Sequence, residues 1–204
     1  MTFLISGALF GLAAGLSPGP LLTLVISETL KHSRKEGIII ASAPVLTDVP
    51  IILLSVFILK KLSGFNFILG SISILGAFFI AYLAYESFTI KSIELDPQNI
   101  KIQSLGEGII TNMLSPHPYL FWMTVGAPTI LKAFRTSPMS SLLFILGFYL
   151  FLVGSKIITA LIVDKSKSFL QSNTYIYIIR TSGFVLSVFS ILFIRDGLKL
   201  FGII

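Results

Sequence analysis

The chain has 204 residues, of which 54% are hydrophobic and 12% charged, and its mean hydropathy is +0.94. Soluble domains carry about 25% charged residues, so this composition excludes an ordinary soluble enzyme and indicates an integral membrane protein. The sequence contains no cysteine, which excludes thiol redox chemistry, disulfides and thiolate metal sites. The net charge of +6 comes mainly from basic residues at the ends of apolar runs, a pattern typical of membrane topology and not of nucleic acid binding.

Six apolar runs follow one another along the chain, and each has the roughly 20 residues that a membrane-crossing helix needs. They are predicted at 3–30, 37–59, 65–88, 108–131, 138–163 and 175–200. The longest polar segment, 91–107, separates the third run from the fourth, and the distribution of basic residues favours the cytoplasmic side for it. We therefore predict one all-α transmembrane domain over 1–204, with halves at about 1–90 and 108–204.

The string Leu16-Ser17-Pro18-Gly19-Pro20 in the first span reappears as Leu114-Ser115-Pro116-His117-Pro118 in the fourth span. Each copy lies in the first span of a half with three spans, which indicates an internal duplication. Because three is an odd number, the second half enters the membrane from the opposite side. The fold is thus predicted to be two inverted three-helix repeats. Two separately acquired proline kinks are the alternative.

Serine and proline in these strings predict that helices 1 and 4 stop and restart within the membrane. Proline inside a helix removes a backbone donor, whereas proline at the first helical position is tolerated and serine is a favoured N-cap. The restarted helix directs free N–H groups at a carboxylate, and carbonyls freed on the other side suit an ammonium group or cation. The predicted substrate-binding residues of the two breaks are Ser17, Pro18, Gly19, Pro20, Ser115, Pro116 and His117.

Asp48 lies near the middle of the second span, next to Thr47. A charge at this depth costs about 2.5 to 3.5 kcal/mol on insertion scales, so it normally faces the bundle interior and has a role. We predict that Asp48 binds a substrate ammonium group or carries a proton, with a structural salt bridge as the alternative. Thr47 is assigned to the same substrate site. Lys156 occupies the corresponding span of the second half, and a pair between Asp48 and Lys156 would neutralise both charges.

His117 has an ordinary pKa of about 6.5 and is, with Asp48 and Lys156, a candidate for proton coupling. A histidine that merely bonds the backbone is an equally good interpretation. Asn112 lies one turn before the second break and is predicted to hydrogen-bond the substrate or to cap the opened helix. Trp122 follows the second break and is predicted to line a cavity or to pack.

Two further features of the spans have structural interpretations. Gly7, Gly11 and Gly15 recur at every fourth residue and form a glycine stripe that lets another helix approach closely. Glu28 and Glu86 lie near the cytoplasmic ends of their spans and are expected to be solvated or paired with neighbouring lysine and arginine.

The glycine and proline pattern of 11–20, Asp48 and the string at 112–118 resemble the LysE/RhtB family of amino-acid exporters over almost the whole chain. The resemblance implies a multi-pass secondary transporter of the cytoplasmic (inner) membrane, driven by the proton motive force, whose partners are an amino acid and the lipid bilayer. His117 and Lys156 are not part of this pattern. The positions that match it are Pro18, Gly19, Pro20, Asp48, Asn112 and Pro116. The helix surface left exposed makes a homodimer a reasonable expectation.

Export of divalent metal cations, found in the wider superfamily, is the alternative function. Transition metals need several strong ligands, but the two histidines, His32 and His117, are far apart in the sequence. We therefore predict no metal site and no cofactor. The spans contain no Ser-His, paired-Asp or His-Glu-x-x-His arrangement, so no enzymatic activity is predicted. The identity of the amino acid does not follow from the sequence.

Overall fold

The computed structural model describes residues 1–17, 19–62, 64–89, 104–165 and 173–203. Within these ranges the chain is all-helical, as predicted, and no β-strand occurs. Residues Trp122–Gly126 form a π-helical segment. The helices are α1 Thr2–Leu16, α2 Pro20–Lys31, α3 Arg34–Ala41, α4 Ala43–Lys61, α5 Asn66–Thr89, α6 Ser104–Leu114, α7 Pro116–Phe121, α8 Ala127–Thr136, α9 Pro138–Lys165 and α10 Asn173–Leu200. Pro18 and most of the predicted linker lie outside the described residues.

Four helical stretches among the described residues are long and apolar enough to cross a membrane. They are Arg34–Lys61, which combines α3 and α4, then Asn66–Thr89, Pro138–Lys165 and Ile176–Leu200. Helices α1 and α2 meet at an angle of 61° and pass the same test as a pair, which raises the number to five. The region of the predicted fourth span is divided among α6, α7, the π-helical segment and α8. The protein is therefore a multi-pass membrane protein, whereas the arrangement of six spans stays a prediction.

Helix α1 packs along the length of α9, and the glycine stripe explains how closely the two helices approach. A Cβ atom at Gly7 would collide with the backbone oxygen of Phe144, and one at Gly11 with that of Phe148. Gly147 of α9 makes the reciprocal contact, because a Cβ there would come within 2.6 Å of the Leu4 carbonyl oxygen. The interpretation of the stripe as a packing face is confirmed.

An aromatic cluster fills the centre of the helix bundle. Phe121 stacks on Phe148 with ring centroids 4.9 Å apart, and Trp122 meets Phe148 edge-on at 5.0 Å. Phe10 of α1 contacts Phe121 from the other side at 5.9 Å. These separations are those of favourable aromatic pairs. The cluster thus joins α1, α7 and α9 and provides a rigid wall for the interior.

The outer surface of the bundle is apolar. Leu53, Phe78, Leu146 and Phe184 are each about 60% exposed or more, although they are large hydrophobic side chains. In water such a surface would be an aggregation hazard, but lipid tails solvate it well. The exposed surface therefore agrees with membrane insertion.

Candidate functional site

A cavity of about 100 Å³ lies where the two Ser-Pro-x-Pro strings meet. One water needs only about 10–15 Å³ by the same kind of measure, so the cavity has room for a small solute. The strings face each other across it, because a Cβ atom added to Gly19 would lie 3.8 Å from Nδ1 of His117. The polar and charged side chains that line the cavity are Ser17, Asp48, Asn112, Ser115, His117 and Lys156.

Asp48 is only 3% exposed and is held by neutral donors from the other half of the chain. Nδ2 of Asn112 donates to Oδ1 at 2.9 Å, and Nε1 of Trp122 donates to Oδ2 at 3.1 Å. The Thr47 hydroxyl accepts from Nδ2 of Asn112 at 2.6 Å and lies 3.4 Å from Oδ1. The structure thus brings Thr47, Asp48 and Asn112 together. The donors fix the position of the carboxylate without supplying a countercharge.

Two aromatic side chains complete the surroundings of Asp48. Trp122 is fully buried and bonds the acid directly, so its polar edge matters as well as its packing. The Tyr149 hydroxyl is near the same carboxylate but makes no hydrogen bond of ordinary length. Gly126 leaves the space that the indole occupies, because a Cβ atom there would collide with the ring of Trp122. The tryptophan-to-glycine spacing within the π-helical segment is a signal that the sequence did contain.

Lys156 is 4% exposed and lines the same cavity as Asp48. Its Nζ donates to the Gly15 carbonyl oxygen at 3.0 Å. Because α1 ends at Leu16, this carbonyl has no partner within its own helix, and the negative end of the helix dipole favours a cation there. The possible ion pair between Asp48 and Lys156 is not formed, since no Nζ–carboxylate distance of 4.0 Å or less joins them among the described contacts.

The two strings restart their helices at different residues. Ser115 is the N-cap of α7 and accepts a hydrogen bond from the His117 backbone N–H at 3.4 Å. The N-cap of α2 is instead Gly19, which is extended, with φ −138° and ψ 173°, and has no capping side chain. The serine cap is therefore confirmed at Ser115 and wrong at Ser17. Oγ of Ser17 is buried without a hydrogen-bond partner.

Of two further residues considered from the sequence, His117 lines the cavity and Glu28 does not. His117 is half-buried in the cavity wall and meets the ring of Phe79 edge-on, with centroids 6.2 Å apart. Glu28, expected to be solvated or paired with a lysine or arginine, is instead completely buried, and its Oε2 lies 2.8 Å from Nδ1 of His32. The cavity lining does not include Glu28 or Glu86.

Apolar membrane helices around a cavity that carries both an acid and a base are typical of a membrane transporter. A sequence model of the LysE type translocator family matches residues 12–197, which is nearly the whole chain. The chain belongs to the LysE type translocator family, whose members are transporters and not enzymes. The resemblance stated from the sequence is confirmed.

No curated protein and no solved structure shows a significant match to the chain. Among the residues that the structure describes, no group of three or more histidine, aspartate or glutamate side chains is placed to hold a metal ion.

Proposed function

We propose that the protein is a secondary transporter that exports amino acids or close derivatives across the cytoplasmic membrane. The observation that carries this proposal is the cavity between the two Ser-Pro-x-Pro strings, which presents Asp48 and Lys156 without pairing them. A free amino acid has an ammonium group and a carboxylate, so its binding site needs an acceptor and a donor close together.

The start of α2 supplies donors on the carboxylate side. The first backbone N–H groups of a helix have no acceptor within it, and here they belong to Leu21 and Leu22, because Pro20 has no N–H. Both leucines border the cavity. The positive end of the helix dipole adds to the attraction for an anionic group.

The helix contacts support two inverted halves with six membrane segments. In this proposal α1 and α2 form the first segment and α6 to α8 the fourth. In two such halves, α1 of the first half corresponds to α6 and α8 of the second, and α4 of the first half corresponds to α9. The packing of α1 on α9 should then have a counterpart in the packing of α6 and α8 on α4, and both sets of contacts are present. The same exchange maps the packing of α5 on α10 onto itself. Rocking of one half against the other would give alternating access, all within one domain over 1–204.

Proton coupling is assigned to the titratable side chains of the cavity. Asp48 is the principal candidate because it combines depth, burial and a place in the cavity wall. His117 and Lys156 border the same space and are the further candidates. The proposal also includes the inner membrane as location and a homodimer as assembly.

Counterflow in proteoliposomes tests the function directly. Vesicles are loaded with a panel of unlabelled amino acids, with and without a pH gradient, and Cd²⁺ and Ni²⁺ fluxes are measured in parallel. Saturable exchange of one amino acid class, accelerated by the gradient, is expected. Metal flux without amino-acid exchange would overturn the proposal in favour of cation export.

The Asp48→Asn variant tests the role of the acid. Asparagine keeps the shape but removes the charge, and a hydrogen bond to a charged group contributes about 1.5–3 kcal/mol. We expect transport to fall roughly 10- to 150-fold, since 1.4 kcal/mol corresponds to a factor of ten. Asp196→Asn is the matched control, because Asp196 pairs with Lys132 at the surface. Equal transport by the two variants would remove Asp48 from the mechanism.

A further inference from the structure

We propose that the substrate is a neutral α-amino acid with an apolar side chain, whose ammonium group binds Asp48 and whose carboxylate binds Lys156. This inference rests on the proposed function and adds to it the class of substrate and a specificity-determining residue, Lys156.

The cavity contains two opposite charges that form no direct ion pair, and each is hydrogen-bonded to neutral partners. Asp48 and Lys156 are both more than 95% buried, and burying a charge without an ion-paired partner is costly. Direct pairing would be the simplest remedy, but the bond from Lys156 to the Gly15 carbonyl holds the ammonium group at the end of α1. A zwitterion lying between the two side chains neutralises both charges at once.

Both charged groups have hydrogen-bonding capacity left for a substrate. An ammonium group has three N–H donors, and Lys156 gives one of them to Gly15. Among the described residues, Oδ2 of Asp48 accepts only from Trp122, so this oxygen retains a lone pair for a second donor. The two sites for the substrate are therefore complementary in hydrogen bonding as well as in charge.

Ser17 adds a donor on the side of Lys156. It lies two residues after Gly15, at the same end of α1, and its Oγ is buried without a partner. A carboxylate has two oxygens, so one can accept from Lys156 and the other from the Ser17 hydroxyl. This hydroxyl is available because Gly19, and not Ser17, caps α2.

The remaining wall of the cavity determines which side chain is accepted. It is mainly apolar, and its larger members are Phe79, Leu83, Phe121, Phe148 and Leu152. Burial of an apolar side chain against it is favourable by about 25 cal/mol per Å². Asp48 is the one carboxylate in the described lining, so the second ammonium group of a basic amino acid would be buried without a countercharge.

Competition against leucine counterflow tests the binding mode. Leucinamide keeps the ammonium group but lacks the carboxylate, 4-methylpentanoate lacks the ammonium group, and lysine and glutamate carry a third charge. Wild-type protein is expected to bind each of these at least tenfold more weakly than leucine.

The Lys156→Met variant isolates the contribution of the lysine charge. Methionine keeps an unbranched apolar stem, and the affinity for leucine is expected to fall roughly 10- to 150-fold, in line with a lost charge-assisted hydrogen bond. The affinity for leucinamide should fall much less, because its neutral amide forms no ion pair with Lys156. If Lys156 had only a structural role, its replacement would instead lower the affinities for leucine and leucinamide equally.

Two further variants keep the inference testable if Lys156→Met does not fold. Ser17→Ala removes no hydrogen bond of the protein, and it should weaken leucine about 2- to 10-fold without affecting leucinamide. Lys156→Arg retains the charge and should retain the preference for leucine over leucinamide. Equal competition by these two ligands in the wild type, or a preference for lysine, would overturn the inference. Absence of any amino-acid exchange would instead contradict the proposed function.

Discussion

The two Ser-Pro-x-Pro strings are nearly identical in sequence, yet they use their serines differently. In the second string the hydroxyl of Ser115 caps the restarted helix, and His117 is already helical. In the first string Gly19 is extended and is the N-cap of the restarted helix, so Ser17 lies outside this helix and its hydroxyl has no hydrogen-bond partner. In both strings a helix ends at the leucine before the serine, whereas the next helix begins at Pro20 in the first string and at Pro116 in the second. Ser115 therefore caps a helix, whereas the buried hydroxyl of Ser17 has no hydrogen-bond partner.

Replacing the two prolines of the second string should lower the exchange rate more than the matched change in the first string. The Ser115 N–H already bonds the Thr111 carbonyl at 3.1 Å, so α6 and α7 need only a regular backbone at 115–118 to join. Each proline disfavours a continuous helix by about 3 kcal/mol. We expect the double variant Pro116→Ala/Pro118→Ala to lower the exchange rate by up to about 100-fold, measured by counterflow.

Pro20→Ala is the matched change in the first string. Pro20 occupies the first position of α2, where proline is tolerated, and Gly19 remains extended before it. The exchange rate should stay within roughly threefold of the wild type, since the change costs a few tenths of a kcal/mol. Spin-label distances across each break report whether the helices have joined. Full activity of a joined α6 and α7 would contradict the role of the break.

The helices that lead into the two strings should also differ in their tolerance of a methyl group. Gly11→Ala places a Cβ atom on the Phe148 carbonyl oxygen of α9, and overpacking of this kind costs about 1–3 kcal/mol. Before the second string, Gly108→Ala should cost less, because its closest neighbour is the Ala43 side chain at 3.1 Å. The free energy of unfolding in mixed detergent micelles measures both.

Gly154→Ala is the control for these glycine substitutions. It also lies in a helix of the α1–α9 pair, but no atom lies within 4 Å of an added Cβ atom. Alanine has the higher helix propensity by about 0.8–1 kcal/mol, so this variant should be neutral or more stable. A loss of stability as large as that of Gly11→Ala would show that backbone contact is not the cause.

The smallest expected effect is the difference in unfolding free energy between alanine variants of the two serines. Ser115→Ala removes the cap of α7 and should lower the free energy of unfolding by about 0.5–1 kcal/mol, near the lower end for such caps because the bond is long. Ser17→Ala removes no bond and should leave stability unchanged. Equal melting temperatures of the two variants would mean that the Ser115 cap does not contribute to stability.

Much of the candidate site could be predicted from the sequence because placing a polar side chain of a membrane helix against lipid is costly. Asp48, Asn112 and Lys156 must face the bundle interior to avoid lipid, and this constraint brings them near one another without knowledge of helix rotation. The chemistry of proline predicted the helix ends at Leu16 and Leu114, whereas breaks within two membrane spans stay a prediction. The class of fold followed from composition and the length of the apolar runs.

The partners of these residues could not be predicted in the same way. Lys156 binds a backbone carbonyl, and since every residue has one, no side-chain pattern points to Gly15. The sequence predicted that Trp122 lines a cavity or packs, but it did not reveal that the indole N–H donates to Asp48. Glu28 is different: its partner His32 lies four residues further along the chain, at the C-cap of α2, a spacing at which side chains meet.

The position of Trp122 allows its intrinsic fluorescence to report on the cavity wall. It is the single tryptophan of the chain, and its indole N–H is bonded to the carboxylate at the cavity wall. Indole emission shifts in colour and intensity with local polarity and with the hydrogen bond of its N–H group. When excitation is restricted to tryptophan, the light that the protein emits therefore comes entirely from the neighbourhood of Asp48. Changes at this acid can be followed in real time without a label.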